Sequence, residues 1–232
     1  GTDRRPWPTM GGSPVVILGI DTSSSAIGVG LGRDGEILAS AQRIDARGHS
    51  EHLAPLIVEL LRDNGLVPRD LDAIAVGNGP GPFTGLRVGL VTAVTMGHAL
   101  GIPVHGVCSL DVLAVQAGRP EGELLVATDA RRKEVYWARY AVGAGSVARL
   151  VGPAVDRPAD LPEEVRALPT VGRGPVLFPD LFRDGDQAVL DVDAGVLVEV
   201  VARRLAAGEA MPVEALYLRR PDALTTAERA AR

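Results

Sequence analysis

The chain has 232 residues, of which 46% are hydrophobic and 23% charged, and its formal net charge is -5. This acidic balance argues against a protein that grips nucleic acid by itself, because phosphate neutralisation needs a concentrated basic face. The single cysteine, Cys108, excludes a disulfide framework and a cysteine-based zinc site, and it favours a reducing cytoplasm.

The sequence also lacks the signals of a membrane or exported protein. No run reaches the roughly 18 apolar residues needed to span a bilayer, and the first 14 residues lack the apolar stretch of a signal peptide. We therefore expect a cytoplasmic protein with no membrane partner, in which residues 1–14 form a disordered extension.

The first ordered segments predict three antiparallel strands. Residues 15–20 are continuously apolar, as in a central buried strand. In the next strand, around residues 27–31, apolar residues alternate with Gly28 and Gly30, which gives one apolar face and one bare face. Asp34-Gly35 then predicts a tight hairpin that leads into a third strand over residues 37–42.

Helices and parallel strands follow in alternation. Ser50 is the predicted cap of an amphipathic helix that Gly65 ends, and residues 71–77 predict a fourth strand. A Gly/Pro loop leads from there into a helix that reaches Leu100, with Thr84 as its predicted N-cap, and residues 102–107 predict a fifth strand. The order βββαβαβ is that of ribonuclease-H-like domains.

The second of these helices carries a stripe of small residues at Gly85, Gly89, Ala93 and Gly97. An interior glycine costs roughly 0.8 to 1.0 kcal/mol relative to alanine, so a close contact must offset the stripe. Two explanations remain open: the helix packs closely within its own fold, or another chain approaches it here.

The second half of the chain repeats the first at an offset of 108 residues. An apolar strand ends at Asp129 as the first strand ends at Asp21, and the later segments are irregular and rich in Pro and Gly. We therefore predict an α/β protein with a duplicated ribonuclease-H-like fold, the two-lobed actin-like ATPase (ASKHA) architecture. Its first lobe would span residues 15–107, a reduced second lobe 108–212, and a C-terminal strand and tail 213–232.

An actin-like fold would place its two phosphate loops at the ends of these repeated strands. Asp21, Thr22 and Asp129 are the candidate cofactor-binding residues, because such aspartates position a magnesium ion and its waters in active ATPases. The basic run Arg131-Arg132-Lys133 stands where a glycine-rich phosphate turn would be expected. Gly172-Arg173-Gly174 is too short to predict an adenosine site, so we expect no cofactor for this chain alone.

The histidines do not predict a metal site or a nucleophilic triad. His49 and His52 lie three residues apart at a helix start, but the sequence supplies no third ligand near them. His105 is followed by Cys108 and Ser109 without a second histidine. We therefore expect neither a bound metal nor catalytic residues.

Five segments together resemble the bacterial TsaB (YeaZ) family. These segments are Ile17-Leu18-Gly19-Ile20-Asp21-Thr22-Ser23, His49-Ser50-Glu51, Gly79-Pro80-Gly81-Pro82-Phe83-Thr84-Gly85-Leu86-Arg87, Asp129-Ala130-Arg131 with Glu134-Val135-Tyr136, and Tyr217-Leu218-Arg219. Pro82 stands where the family usually has serine, a residue that would cap the following helix.

The resemblance implies a non-catalytic scaffold that acts with a paralogous TsaD subunit and a TsaE ATPase. That complex transfers a threonylcarbamoyl group onto the adenosine next to the anticodon of tRNAs that read codons beginning with adenine. This chain would touch tRNA only through the complex and would form a homodimer when alone. The catalytic paralogue carries a His-x-x-x-His pair, whereas the matching stretch here is His105-Gly106-Val107-Cys108-Ser109.

Two alternatives remain, a metallopeptidase of the same superfamily and an actin-like small-molecule kinase or ATPase. For the scaffold, we predict that the two helices of the first lobe form the partner surface, since they combine apolar and small residues. The predicted interface residues are Leu53, Leu56, Leu60, Thr84, Gly85, Leu86, Gly89, Leu90, Ala93, Val94 and Gly97.

Overall fold

The computed structural model describes residues 14–45 and 48–219. The predicted N-terminal extension, up to residue 13, and the tail after residue 219 lie outside the described residues. Within the described part of the chain, no helix is both long and apolar enough to cross a membrane.

The first half of the described chain builds a five-stranded sheet in the order β3-β2-β1-β4-β5. Strands β2 and β3 pair antiparallel with their neighbours, while β4 and β5 run parallel to β1, which confirms the predicted βββαβαβ order. The elements are β1 (Val16–Asp21), β2 (Ala26–Arg33), β3 (Glu36–Ile44), α1 (His49–Asp63), β4 (Ala73–Gly77), α2 (Phe83–Leu100), β5 (Val104–Val107) and α3 (Ser109–Gln116).

The second half repeats this topology with shorter parts. Its sheet has the equivalent order β8-β7-β6-β9-β10, and β1 and β6 both end in the aspartates that predicted the duplication, Asp21 and Asp129. Helices α4 and α5 have four residues each and β10 has two, so the second copy is reduced. The elements are β6 (Gly122–Asp129), β7 (Val135–Gly143), β8 (Ser146–Asp156), α4 (Glu163–Arg166), β9 (Pro169–Val171), α5 (Gly174–Leu177), β10 (Asp184–Gly185) and α6 (Ala194–Ala206).

Helices α3 and α6 lie between the two sheets. Helix α6 lies on β1, β2 and β3 of the first sheet, while α3 packs against the second sheet and against α6. The bare face predicted for β2 is where α6 sits: a side-chain carbon at Gly30 would collide with the backbone of Ala194 and Gly195. Although α6 belongs to the second half by sequence, it therefore covers the first sheet.

The apolar interior has a layer on each side of each sheet. The central layer lies between the sheets and includes Ile17, Leu124, Val126 and Leu197. The second layer joins the outer face of the first sheet to α1 and α2, and the third lies beyond the second sheet. The chain thus stacks as helices, sheet, helices, sheet and small outer elements.

Three local predictions were wrong. Helix α1 begins at His49 after Gly48, so Ser50 lies inside the helix, and α2 begins at Phe83 after Pro82, so Thr84 is not its N-cap. Residues 215–219 do not form a strand; they belong to an extended segment that bonds to the ends of β4 and β5. Prediction of Gly65 as the end of α1 was correct, because Gly65 has φ +67° directly after the C-cap Asn64.

We predict that Gly30→Val lowers the free energy of unfolding by about 3 kcal/mol, because overpacking would force the α6 backbone away from β2. Urea denaturation followed by circular dichroism measures the change. Gly143→Ala is the control, since its added carbon would approach only the Ser146 hydroxyl, at 3.3 Å. Equal effects of the two substitutions would contradict the close packing of α6.

Candidate functional site

The carboxylate of Asp21 is buried at the centre of the structure, at the C-terminal end of β1. Its Oδ1 accepts hydrogen bonds from the backbone N–H and the hydroxyl of Ser23, at 2.9 and 2.7 Å, and its Oδ2 accepts one from Ser109 Oγ at 2.6 Å. Ser109 Oγ also accepts a bond from the N–H of Gly79. Asp21 therefore ties β1 to the Gly/Pro loop and to the start of α3.

Burial raises the pKa of the Asp21 carboxyl, although its hydrogen bonds to Ser109 and Ser23 act in the opposite direction. Sequence reasoning did not identify Ser109 as a partner. A signal was available, since Ser109 lies two residues after the end of β5, and the carboxyl ends of β1, β4 and β5 lie side by side at one edge of the sheet.

Thr22 connects the same loop to α2. Its hydroxyl donates to the carbonyl of Gly85 at 2.7 Å and accepts from the N–H of Gly89 at 2.9 Å, so it bridges two groups that are a helical turn apart. A carbon added at Gly89 would lie 2.5 Å from Thr22 Oγ1. At Gly89, the glycine stripe is therefore explained by close packing within the protein. A larger side chain, as in Gly89→Leu, would disturb the contact between α2 and Thr22.

The equivalent loop after β6 is built differently. The N–H of Arg131 donates to Asp129 Oδ1 at 2.7 Å, and the Arg131 guanidinium lies 3.4 Å from Asp129 Oδ2. The residues of the predicted basic run all adopt left-handed backbone conformations, with φ of 61°, 52° and 62° for Arg131, Arg132 and Lys133. The Asp129 carboxylate is thus engaged by its own turn.

The space between the two loops is nearly filled by an ion pair. Arg173 Nε and Nη2 donate to the Asp191 carboxylate at 2.8 and 2.5 Å, and Ser24 Oγ donates to Asp191 Oδ1 at 3.1 Å. The remaining cavity has a volume of about 10 Å³, which is about the room of one water molecule. The sequence singles out Arg173 only as part of a short glycine motif, and no sequence pattern predicts the role of Asp191.

The histidines that lie near one another in sequence serve different contacts. His49 Nε2 is 2.7 Å from the carbonyl oxygen of Ser24, whereas His52 lies between Asp45 and Arg43.

Burial raises the pKa of the Cys108 thiol to about 12, so Cys108 is protonated at neutral pH. Among residues 14–45 and 48–219, no group of three His, Cys, Asp or Glu side chains is arranged to hold a metal ion.

The predicted interface residues divide into an inner and an outer set. The inner set packs in the protein's own interior: Leu53, Leu60, Leu86, Gly89, Leu90, Ala93 and Gly97 are buried. Leu56 and Gly85 are half-buried, and Thr84 and Val94 are exposed. The inner residues cannot offer side chains to a partner in this conformation, so any contact through α1 and α2 must use their exposed faces.

We predict that Asp21 makes stability pH-dependent. Because its pKa is raised, the native state holds the proton more tightly than the unfolded chain, so this group's contribution falls as pH rises from about 3.8 through the raised pKa. The unfolding free energy of the wild type should therefore fall relative to that of Asp21→Asn as pH rises. Urea titrations across that range measure it, with the surface substitution Asp63→Asn as control; a pH-independent difference would contradict the prediction.

Known proteins resemble this chain in sequence and in structure. The family model of TsaD, tRNA N6-adenosine threonylcarbamoyltransferase, matches residues 37–172. An uncharacterized protein of Mycobacterium leprae is 45% identical over 212 residues, which cover 90% of this chain but only 56% of that protein. The tRNA threonylcarbamoyladenosine biosynthesis protein TsaB of Escherichia coli is 34% identical over 222 residues, covering 88% of this chain and 94% of that protein.

A solved structure extends the comparison to the fold. An uncharacterized Pseudomonas aeruginosa protein with similarity to the peptidase YeaZ superposes with a TM-score of 0.75 at 30% identity, covering 89% of this chain and all of that one. Its similarity and the duplicated topology confirm the predicted ribonuclease-H-like, actin-like fold. Together with the Escherichia coli match, they show that the chain belongs to the TsaB (YeaZ) family.

Proposed function

We propose that this protein is a non-catalytic subunit in the biosynthesis of threonylcarbamoyladenosine in tRNA. It would dock onto a TsaD-type subunit, with a TsaE-type ATPase as a third component, and would form a homodimer when alone. The exposed apolar faces of α1 and α2 carry this proposal: Val58, Val91 and Val94 are 61%, 52% and 49% exposed, respectively. The matched TsaB protein of Escherichia coli is named for this pathway.

A related chain is the partner that we propose for this surface. The TsaD family model covers α1 and α2, so a TsaD-type paralogue would carry a similar pair of helices. Two related chains can join the same surface of each in an approximately two-fold contact, and a second copy of this chain can do so as well. One surface would thus serve both the proposed heteromer and the proposed homodimer.

The chemistry near Asp21 supports a non-catalytic role. Its carboxylate accepts three hydrogen bonds from Ser23 and Ser109, and the Arg173–Asp191 ion pair occupies the space between the lobes. A metal-bound nucleotide would need this carboxylate to exchange those partners for water and metal, as well as room that the described conformation does not offer. Catalysis in the complex would then belong to the paralogue.

We predict that Val94→Glu raises the dissociation constants of homodimer and heteromer about 30-fold, about 2 kcal/mol, because it places a charge in an apolar contact. Val58→Glu should act in the same way, since Val58 belongs to the exposed face of α1 that we propose as part of the partner surface. Val67→Glu is the matched control, because Val67 is 55% exposed but lies outside both helices. Sedimentation and titration calorimetry measure association, and circular dichroism checks that each variant is folded.

Function is tested by reconstituting threonylcarbamoyl transfer to tRNA from this chain, a TsaD-type subunit and a TsaE-type ATPase. Omitting this chain, or replacing it with Val94→Glu, should lower the rate, while Val67→Glu should support it. If folded Val94→Glu and Val67→Glu weaken association equally, the partner surface lies elsewhere. If transfer proceeds equally well without this chain, the proposed function is wrong.

A further inference from the structure

Residues 211–219, which we name the C-terminal strap, run from the first sheet to the second. The N–H of Gly106 donates to the carbonyl of Met211 at 2.9 Å, and the N–H of Leu216 donates to the carbonyl of Asn78 at 2.8 Å. The Asn78 side chain also bonds to strap backbone groups on either side of residue 213. The strap is therefore fixed to the ends of β4 and β5.

Further along, the strap touches the first residue of α2. The rings of Tyr217 and Phe83 stack with their centroids 4.8 Å apart and their planes tilted by 40°. The Arg87 guanidinium lies 6.0 Å from the centre of the Phe83 ring. Since Phe83 and Arg87 are both exposed residues of α2, the strap adjoins the proposed partner surface.

At its far end, the strap contacts a turn of the second half whose backbone conformation is unfavourable. Residues 131–133, the basic turn, contain no glycine, yet all have positive φ and all are exposed. Left-handed conformations are costly for residues with a Cβ and persist only where surrounding contacts enforce them. Asp129 and Glu134 supply part of that enforcement through the hydrogen bonds at the two ends of the turn.

Arg219 supplies two contacts from outside the turn. Its Nη1 donates to the carbonyl of Ala130 at 2.9 Å, and its Nη2 forms an ion pair with Glu134. Ala130 and Glu134 are themselves joined by a backbone hydrogen bond of 3.0 Å. One guanidinium therefore holds both residues that flank the basic turn.

We propose that Arg219 is a positioning residue that keeps the basic turn in its left-handed conformation, and that the strap links this turn to the partner surface on α2. The second part rests on the proposed function, because it requires a partner at α2. A partner that orders Phe83 would then order Tyr217, Arg219 and finally the turn beside the inter-lobe cavity. The strap would act as a physical connection between docking and the turn.

The first experiment uses the isolated protein and needs no partner. Arg219→Gln should speed amide hydrogen exchange in residues 130–134 about 10- to 100-fold, the loss expected for a charge-assisted hydrogen bond, while leaving the exchange of β1 and β6 unchanged. Arg183→Gln is the control, because it removes a similar arginine–carboxylate pair, with Glu163, at an exposed site away from the turn. Adding Lys133→Gly to Arg219→Gln should restore protection, since glycine adopts positive φ without steric cost.

The outcomes of this experiment are distinct. Unchanged exchange in the turn would overturn the role of Arg219. Uniformly faster exchange throughout both sheets, without rescue by Lys133→Gly, would show that Arg219 supports global stability. That result would also overturn the proposed positioning role of Arg219.

The second experiment uses the complex with the TsaD-type subunit. Partner binding should slow exchange in the basic turn of the wild type and of Tyr217→Phe, but not of Tyr217→Ala, which breaks the ring contact with Phe83. If the partner binds but protects the turn equally in all three proteins, the link through the strap is wrong while the proposed function stands. If no partner binds at α2, the proposed function fails while the Arg219 result in the isolated protein is unaffected.

Discussion

The fold depends on how closely the backbone of α6 approaches β1 and β2. Gly19 and Gly30 permit this approach, since a Cβ at either position would overlap the α6 backbone at Ala194. The contact brings the second half of the chain onto the first sheet and closes the central apolar layer. It also carries the residues just before α6 into the cleft, which is how Asp191 reaches Ser24 and Arg173. Closure of the cleft is thus a consequence of helix packing.

The polar residues after β1 hold together several elements of the first half. The sequence predicts Asp21 and Thr22 as candidate residues of a phosphate loop. Here Asp21 is saturated by hydroxyl and amide donors, and Thr22 inserts its hydroxyl into the backbone hydrogen bonding of α2. These polar contacts fix the start of α2, and hence the orientation of the surface proposed for docking. A residue pattern suited to phosphate chemistry can therefore serve to position a helix.

Much of the fold was predictable because the relevant signals are local. The alternation of apolar residues with Gly28 and Gly30 identified β2 and its bare face, and the 108-residue repeat identified the second sheet. Helix α3 was missed because an eight-residue segment buried on nearly all sides shows no amphipathic period. The covering of the bare face by α6 could not be predicted because it joins segments far apart in sequence. The pairing of Asp21 with Ser109 was missed although the position of Ser109 just after β5 gave a signal for it. Similarly, apolar periodicity identified α1 and α2 but could not separate the side that packs on the sheet from the side that remains exposed.

The position of α6 has a consequence for the order of events during synthesis. Strands β1 to β3 are complete at Ile44, but the helix that covers their bare face begins only at Ala194, about 150 residues later. At roughly 5 to 20 residues per second, the ribosome needs about 8 to 30 s to add that length. During this interval, α1 and α2 can already pack on one face of the first sheet. The opposite, glycine-lined face stays uncovered because α6 has not yet been synthesised. Native closure of this sheet is therefore a late, long-range event, and the nascent chain is exposed to competing contacts until α6 emerges.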